Sequence, residues 1–402
     1  MQQLAAMFLT SDKPHYPFEL PKGWEWTTLG DLFSLQAGKN IAAKEIYPEF
    51  SEIYKYPCFG GNGIRGFVSN FNRNGDFPII GRQGALCGNV NLAIGDFYAT
   101  EHAVVVERFS DTDLMWTYYV LIALNLNQYA TATAQPGLAV NVINDVIVPV
   151  PPFQEQCRIS KAVTRLFSLI NEIEHGKQKL QGTIKQTKSK VLDLAIHGKL
   201  VPQDLNDEPA NELLKRINPK AEIISDNGHY QKLPEGWCLT KGKYIFNQMK
   251  SSKPTGEVFR YIDIDAIDNK QQIIRNIKIL KVANAPSRAS RFTQKGDVVF
   301  SLVRPYLRNI AMVMEDDCIA STGFYVCHPT KVLLSKYCFY LMNSGYVVDG
   351  LNNFMKGDNS PSINKADIDN WVYPLPPLTE QKLIVAKIEE LFTQLDTIEA
   401  SL

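Results

Sequence analysis

The chain has 402 residues, with 42 Lys and Arg against 42 Asp and Glu and an apolar content of 45%, which is the length and make-up of two or three ordinary globular domains. Zero net charge excludes a polycation that coats nucleic acid indiscriminately, while leaving local basic faces open. No apolar run reaches the roughly 20 residues of a membrane span, and the N-terminus MQQLAAMFLT lacks the basic start and long apolar stretch of a secretory signal; a cytoplasmic protein is expected.

In chain order, the first landmark is SDKPHYPFELPKGW at 11–24, which returns as SDNGHYQKLPEGW at 225–237. Short β-branched and aromatic runs bounded by turn residues follow the first copy: NGIRGFVSNF, FPIIGRQG and EHAVVVERF, each predicting a strand. The spacing of large apolar residues in DLMWTYYVLIALNLNQY predicts a helix. PVPPFQEQ at 149–156 then marks a boundary, because proline cannot donate to a strand ladder and disfavours helix in the residue before it.

After that boundary apolar residues fall at Ile159, Val163, Leu166, Ile170, Ile173, Leu180, Ile184, Val191 and Leu194, in steps of four and three. A heptad stripe of this length predicts a coiled-coil helix running to about Leu200. One stretch of it is basic, with Lys177, Lys179, Lys185, Lys188 and Lys190 and no acid between them. Gly176 and Gly182 each cost about 1 kcal/mol relative to alanine in a helix interior, so packing has to hold this helix.

The second body repeats the plan. GEVFRYIDIDAI, GDVVFSLVRPYL and GFYVCHP predict strands, LLSKYCFYLMNSGYVVDGL predicts a helix, and PLPPLTEQ closes the body at 374–381. Around the two proline junctions the copies align without a gap at an offset of 225, pairing Pro136 with Pro361, Ile159 with Ile384, Leu166 with Leu391 and Phe167 with Phe392. A period this long signals a duplicated domain and not a solenoid or propeller, whose periods are roughly 20–50 residues. The last helix carries its own seam at Ile384, Ile388, Leu391, Leu395, Ile398 and Leu402. Antiparallel to the first, it would cover only the stretch from about residue 176 to Leu194, leaving Ile159, Val163, Leu166 and Ile170 without an intramolecular partner.

Catalytic signals are weak. Phe59-Gly60-Gly61-Asn62-Gly63 fits the FxGxG turn of adenine-N6 methyltransferases, and Val150-Pro151-Pro152-Phe153 approaches their (Asp/Asn)-Pro-Pro-(Phe/Tyr) motif. Valine, however, cannot accept a hydrogen bond from a target amine, and a glycine turn more often supplies positive φ than a cofactor cradle. The seven cysteines are scattered without a CxxC, and the histidines lack ligand spacing, so neither zinc nor a disulfide framework is indicated.

Recognition remains. Residues 20–150 hold eight Lys or Arg against twelve Asp or Glu, while 233–373 hold eighteen against thirteen. Arginine pairs bidentately with guanine, Asn or Gln with adenine, and Lys or a hydroxyl holds phosphate. The first body offers Asn62, Arg65, Arg73, Arg82 and Gln83 near glycine turns; the second offers Lys253, Arg288, Arg291, Arg304, Tyr306, Arg308 and Asn309.

With the LPxGW motifs at 20–24 and 233–237, the two proline junctions, the helix after each, AIHGKLVPQDLNDEPANELLKRI after the first helix, and FGGNGIRGFVSNF followed by IIGRQGALCGNV in the first body, the chain resembles the specificity subunits of type I restriction-modification systems over essentially its whole length. The resemblance implies an α/β (α+β) chain in which two similar target-recognition domains are separated by long antiparallel coiled-coil helices, an internal pseudo-twofold repeat. It implies a non-catalytic subunit whose domains each read half of a bipartite site in double-stranded DNA. The helices would set the spacing and dock two methyltransferase subunits, with restriction subunits joining the complex; S-adenosylmethionine, ATP and Mg would bind to those partners.

The expected boundaries are 1–152 and 221–377 for the recognition domains, 153–220 for the central helix and linker, and 378–402 for the short second helix. The alternatives are an adenine-N6 DNA methyltransferase, or a coiled-coil scaffold for protein partners.

Overall fold

The computed structural model describes residues 18–84, 86–109, 111–131, 136–224 and 233–402. The portions of the two leading motifs at 11–17 and 225–232 lie outside them. The chain divides into two compact units, and the division falls at Glu174 and His175, inside the central helix.

In the first unit Glu25–Thr28 pairs antiparallel with Ile147–Val150, from Glu25 opposite Val150 to Thr28 opposite Ile147. One four-stranded antiparallel sheet runs in the order Phe33–Ala37, Ala103–Arg108, Phe77–Gly81, Val90–Ala93. A second runs Gly63–Val68, Tyr56–Gly60, Asp96–Ala99, Arg73–Asn74, with its middle pair parallel. The first sheet is covered on both faces, which explains the near-continuous apolar runs of its two central strands, Phe77–Gly81 and Ala103–Arg108. Alternation sends Ile80, Val104 and Val106 toward Trp116 and Leu121 of the helix Leu114–Ala123, while Ile79 and Val105 meet Phe59, Phe97 and Ala99 of the second sheet.

The second unit has the same plan in a different sequence. Cys238–Lys241 pairs with Val372–Leu375. The helix-backed sheet runs Phe246–Asn247, Phe324–Pro329, Val298–Ser301, Ile310–Met312, and the outer sheet runs Lys278–Lys281, Val258–Ile262, Cys318–Ser321, Ala289–Thr293, again with a parallel middle pair. Strand order and direction match position for position, so the duplication read from the proline junctions extends through both bodies. The single helix predicted over 333–351 is two, Ser335–Asn343 and Gly345–Asn352, because Ser344 has extended backbone and its hydroxyl caps Val347 N at 3.3 Å.

The repeated residues acquire physical roles. Gly23 (φ +88°) and Gly236 (φ +80°) sit in left-handed turns, and a Cβ on either would face Pro152 at 3.7 Å and Pro377 at 3.3 Å. Gln156 donates to Pro151 O at 2.9 Å and accepts from Asp113 N at 3.0 Å; Gln381 donates to Pro376 O at 3.1 Å and accepts from Leu334 N at 2.9 Å. In each unit, then, one buried glutamine ties the double proline to the start of the body's helix.

The central helix spans Phe153–Ile196 and the C-terminal helix Leu378–Ala400. They run antiparallel: Lys177 donates to Leu402 O, and Lys188 pairs with Asp396 and, at 3.6 Å, with Glu399. Val191, Leu192, Ala195 and Ile196 share a core with Ile384, Val385 and Ile388. The heptad stripe thus has three fates. Ile184 and Val191 are buried, Leu166, Ile170, Ile173 and also Leu180, expected to be covered, are exposed, and Ile159, expected to lack a partner, packs on its own body with Val163 half-buried.

Candidate nucleic-acid interface

Each unit places a polar cleft where strands of the two sheets end together. In the first unit the turn after Tyr56–Gly60 lies against the turn after Phe77–Gly81 so closely that a Cβ on Gly61 would stand 2.6 Å from Gln83 O, and one on Gly81 would stand 1.9 Å from Gly61 O. The glycines of the FxGxG sequence therefore permit backbone contact between two turns. The cleft they form, about 580 Å³, is lined by Asn62, Arg65, Gln83, Leu86 and His102. Asn62 and Gln83 are exposed; Asn62 Oδ1 accepts from Asn89 Nδ2 at 3.3 Å. His102 Nε2 lies 3.2 Å from Glu101 Oε1, both half-exposed. None of Val150–Phe153 lines this cleft.

The loop at 81–89 has a counterpart at 301–309, identified by its backbone bonds. Arg82 N donates to His102 O (2.9 Å) as Leu302 N does to Gly323 O (2.8 Å). Leu138 N donates to Arg82 O as Ile363 N does to Leu302 O, both at 2.9 Å. Gly84 N reaches Pro136 O (3.0 Å) as Arg304 N reaches Pro361 O (2.8 Å), and Gly81 N reaches Asn89 O (2.8 Å) as Ser301 N reaches Asn309 O (3.1 Å). The offset is constant, 301 − 81 = 309 − 89 = 220. These shared backbone bonds lie within GRQGALCGN in one unit and SLVRPYLRN in the other.

Beside the second loop lies a cleft of about 490 Å³ lined by Asp263, Asp265, Asn269, Arg288 and Asn309. Here carboxylates face bases: Arg288 lies 3.5 Å from Asp263, Lys278 2.6 Å from Asp265, and Arg275 2.8 Å from Asp268. The Lys278 ammonium is held above its usual range, chiefly by the hydrogen bond to Asp265. Asp268 is held below its usual range, first by the amide of Gln271.

The structure brings Asn62, Arg65 and Gln83 together, and likewise Arg288 and Asn309. Arg304 and Tyr306 are exposed on the 301–309 loop, with Arg308 half-buried. Arg82 is half-buried and outside the cleft; its counterpart is Leu302, not Arg304. Arg73 lies on the edge strand of the outer sheet, donating to Gln36 Oε1 at 3.0 Å. Arg291 is half-buried on Ala289–Thr293, and Lys253 is exposed. The sequence reading missed His102, with Glu101 beside it, and Asp263, Asp265 and Asn269, which are brought to the clefts by the fold and not by their spacing in the chain. Burial pushes the thiols of Cys58 and Cys318 up to about 11 and Cys238 up to about 12, making them packing residues. Among the described residues no group of metal-ligating side chains is assembled, and no helix is long and apolar enough to cross a membrane.

Residues 21–181 and 240–402 match the family model for the type I restriction modification DNA specificity domain, and the chain belongs to that family, carrying its domain twice. It is 47% identical over 146 residues to the EcoprrI specificity subunit of Escherichia coli, a match spanning 36% of each chain. It is 24% identical over 474 aligned positions to the Escherichia coli EcoAI specificity subunit, covering 93% of this chain and 78% of that one. Among solved structures it resembles the HsdS subunit from Thermoanaerobacter tengcongensis, with a TM-score of 0.57, 17% identity and coverage of 96% and 93%. It also resembles a chain from a study of complex assembly in a type I R-M system, with a TM-score of 0.65, 17% identity and coverage of 96% and 94%. The duplicated mixed fold and the long central helix agree with these relatives.

Proposed function

We propose that each unit of this chain reads one half of a bipartite site in double-stranded DNA, using the polar cleft and its loop, and that the chain performs no catalysis itself. The observation that carries the reading is the loop pair 81–89 and 301–309, where the same backbone bonds present different side chains. A fold held constant beneath a changed set of polar groups is what two different half-sites require, because base edges are told apart by donor and acceptor pattern. Membership of the specificity family supports the same conclusion.

The exposed part of the central helix and its basic stretch suit docking of two methyltransferase subunits, through which restriction subunits join. S-adenosylmethionine, ATP and Mg belong to those partners, in the cytoplasm where the DNA is. The test is a map of methylated adenines in cells with and without the gene, repeated after exchanging residues 25–135 for the body of a relative. One half of the methylated motif should change while the other stays. Simultaneous change of both halves would contradict independent reading, and saturable calorimetric binding of S-adenosylmethionine by the purified chain would favour a methyltransferase.

A further inference from the structure

Two positions of the paired loops require a left-handed backbone. In the first unit they are Gly84 (φ +92°) and Gly88 (φ +85°); in the second the same positions hold Arg304 (φ +48°) and Arg308 (φ +53°). Glycine adopts this conformation without penalty, whereas a Cβ makes it strained. The fold therefore favours glycine at both places, and two arginines sit there against that preference. Strained residues of this kind persist where the surrounding structure holds them, and they concentrate at functional sites.

The two arginines differ in what holds them. Arg308 is half-buried, donating from Nη1 to Asn343 O at 2.6 Å and from Nη2 to Asp349 Oδ1 at 3.3 Å, so it pins the loop to the neighbouring helices. Arg304 is exposed and, among the described residues, donates only from Nη2, to Asn359 O at 2.8 Å. A guanidinium has five N–H donors in a flat fork, so most of its capacity points outward. The buried Pro305 next to it fixes the turn, and exposed Tyr306 follows. The loop thus presents one exposed fork, tethered at Nη2.

We propose that Arg304 reads a guanine in the half-site of the second unit, through paired hydrogen bonds to O6 and N7 in the major groove, an assignment that rests on the DNA-reading function proposed above. Arg308 is the positioning residue for that loop. The first unit, with Gly84 in the equivalent place, has no arginine at this point and reads its own half-site with Asn62, Arg65 and Gln83.

The test is Arg304→Gly in the full chain expressed with its methyltransferase partner, scored by the methylated-adenine motif in cells and by the thermal midpoint of the purified protein. Because glycine is what the matching position of the first unit uses, the midpoint should stay or rise. One guanine in the second half of the motif should become degenerate while the first half is unchanged. On oligonucleotide duplexes the preference for that guanine should fall on the order of 10- to 100-fold. Arg308→Gly should instead lower the midpoint.

A motif that keeps every guanine overturns the assignment. Equal weakening on cognate and random duplexes, with the midpoint retained, makes Arg304 a phosphate contact and also overturns it. A fall in the midpoint for Arg304→Gly shows that the arginine serves the fold. If the unaltered complex methylates no defined motif, the DNA-reading function itself fails and this assignment falls with it.

Discussion

Trp237 Nε1 donates a hydrogen bond of 2.8 Å to Glu380 Oε2, joining the LPxGW motif of the second unit to the first turn of the C-terminal helix. Both residues are buried, and the other carboxylate oxygen accepts from Gln203 at 3.1 Å. Trp237→Phe keeps the packing and removes the donor. A loss of about 1–3 kcal/mol is expected, the range for leaving a buried acceptor short of a partner, measured as a lower midpoint in chemical denaturation.

Burial raises the Glu380 carboxyl above its usual range, against the pull of the Gln203 and Trp237 hydrogen bonds. A raised folded-state value means that the folded chain binds its proton more tightly than the unfolded chain. Stability from this group is therefore full below the ordinary carboxylate value and is lost as pH rises through the folded one. Glu380→Gln should flatten this dependence. Thermal midpoints compared between pH 4 and 7 should show the unaltered chain gaining on the variant toward acid, and parallel curves would contradict the assignment.

Gln156→Ala and Gln381→Ala each remove a side chain that holds a proline carbonyl and a helix-start amide at once. Each should cost about 2–4 kcal/mol, since two backbone groups lose partners in the first case and three, with Val332 O, in the second. Amide hydrogen exchange should localise the effect: Gln156→Ala loosening Leu114–Ala123, Gln381→Ala loosening Ser335–Asn343.

Gly176 and Gly182 lie within the central helix with open space where a Cβ would go. Gly176→Ala and Gly182→Ala should each stabilise by about 0.5–1 kcal/mol, by helix propensity and a less mobile unfolded chain. Equilibrium denaturation of the single and double variants checks this, with the two gains adding.

Ile173 is 70% exposed on the same face as Leu166 and Ile170. Ile173→Glu should leave the thermal midpoint of the chain unchanged and weaken methyltransferase binding by about tenfold or more, as the loss of one buried aliphatic side chain predicts. Binding titrations with the purified subunit measure it, and undiminished affinity would move the docking site elsewhere.

The parts legible in sequence were those written in side chains. Apolar spacing marked both long helices, and the double prolines with their following glutamines marked the junctions, because Gln156 and Gln381 do their work through their own amides. The order of strands was not legible, since it is set by backbone pairing that leaves little trace in residue type. The equivalence of 81–89 with 301–309 escaped for the same reason: it rests on main-chain bonds, at an offset of 220 where the junctions keep 225. Arg82 and Arg304 were both candidates in the sequence, yet the register pairs Arg82 with Leu302 and Arg304 with Gly84. The acids that face Arg275, Lys278 and Arg288 were visible as residues but not as neighbours.

Each body begins and ends on one pair of strands, Glu25 opposite Val150 in the first unit and Cys238 opposite Leu375 in the second. Cα atoms across an antiparallel pair are only about 4.5–5.5 Å apart, so everything between is a loop closed on a two-strand stem. The step across the stem from Thr28 to Ile147 is 147 − 28 = 119 positions, and that from Lys241 to Val372 is 372 − 241 = 131. The stem accepts either, because closure entropy changes only slowly with loop length. The chain is in this sense a cassette holder: the stem strands and the proline junction behind each of them stay the same while the body they close differs in length and in sequence.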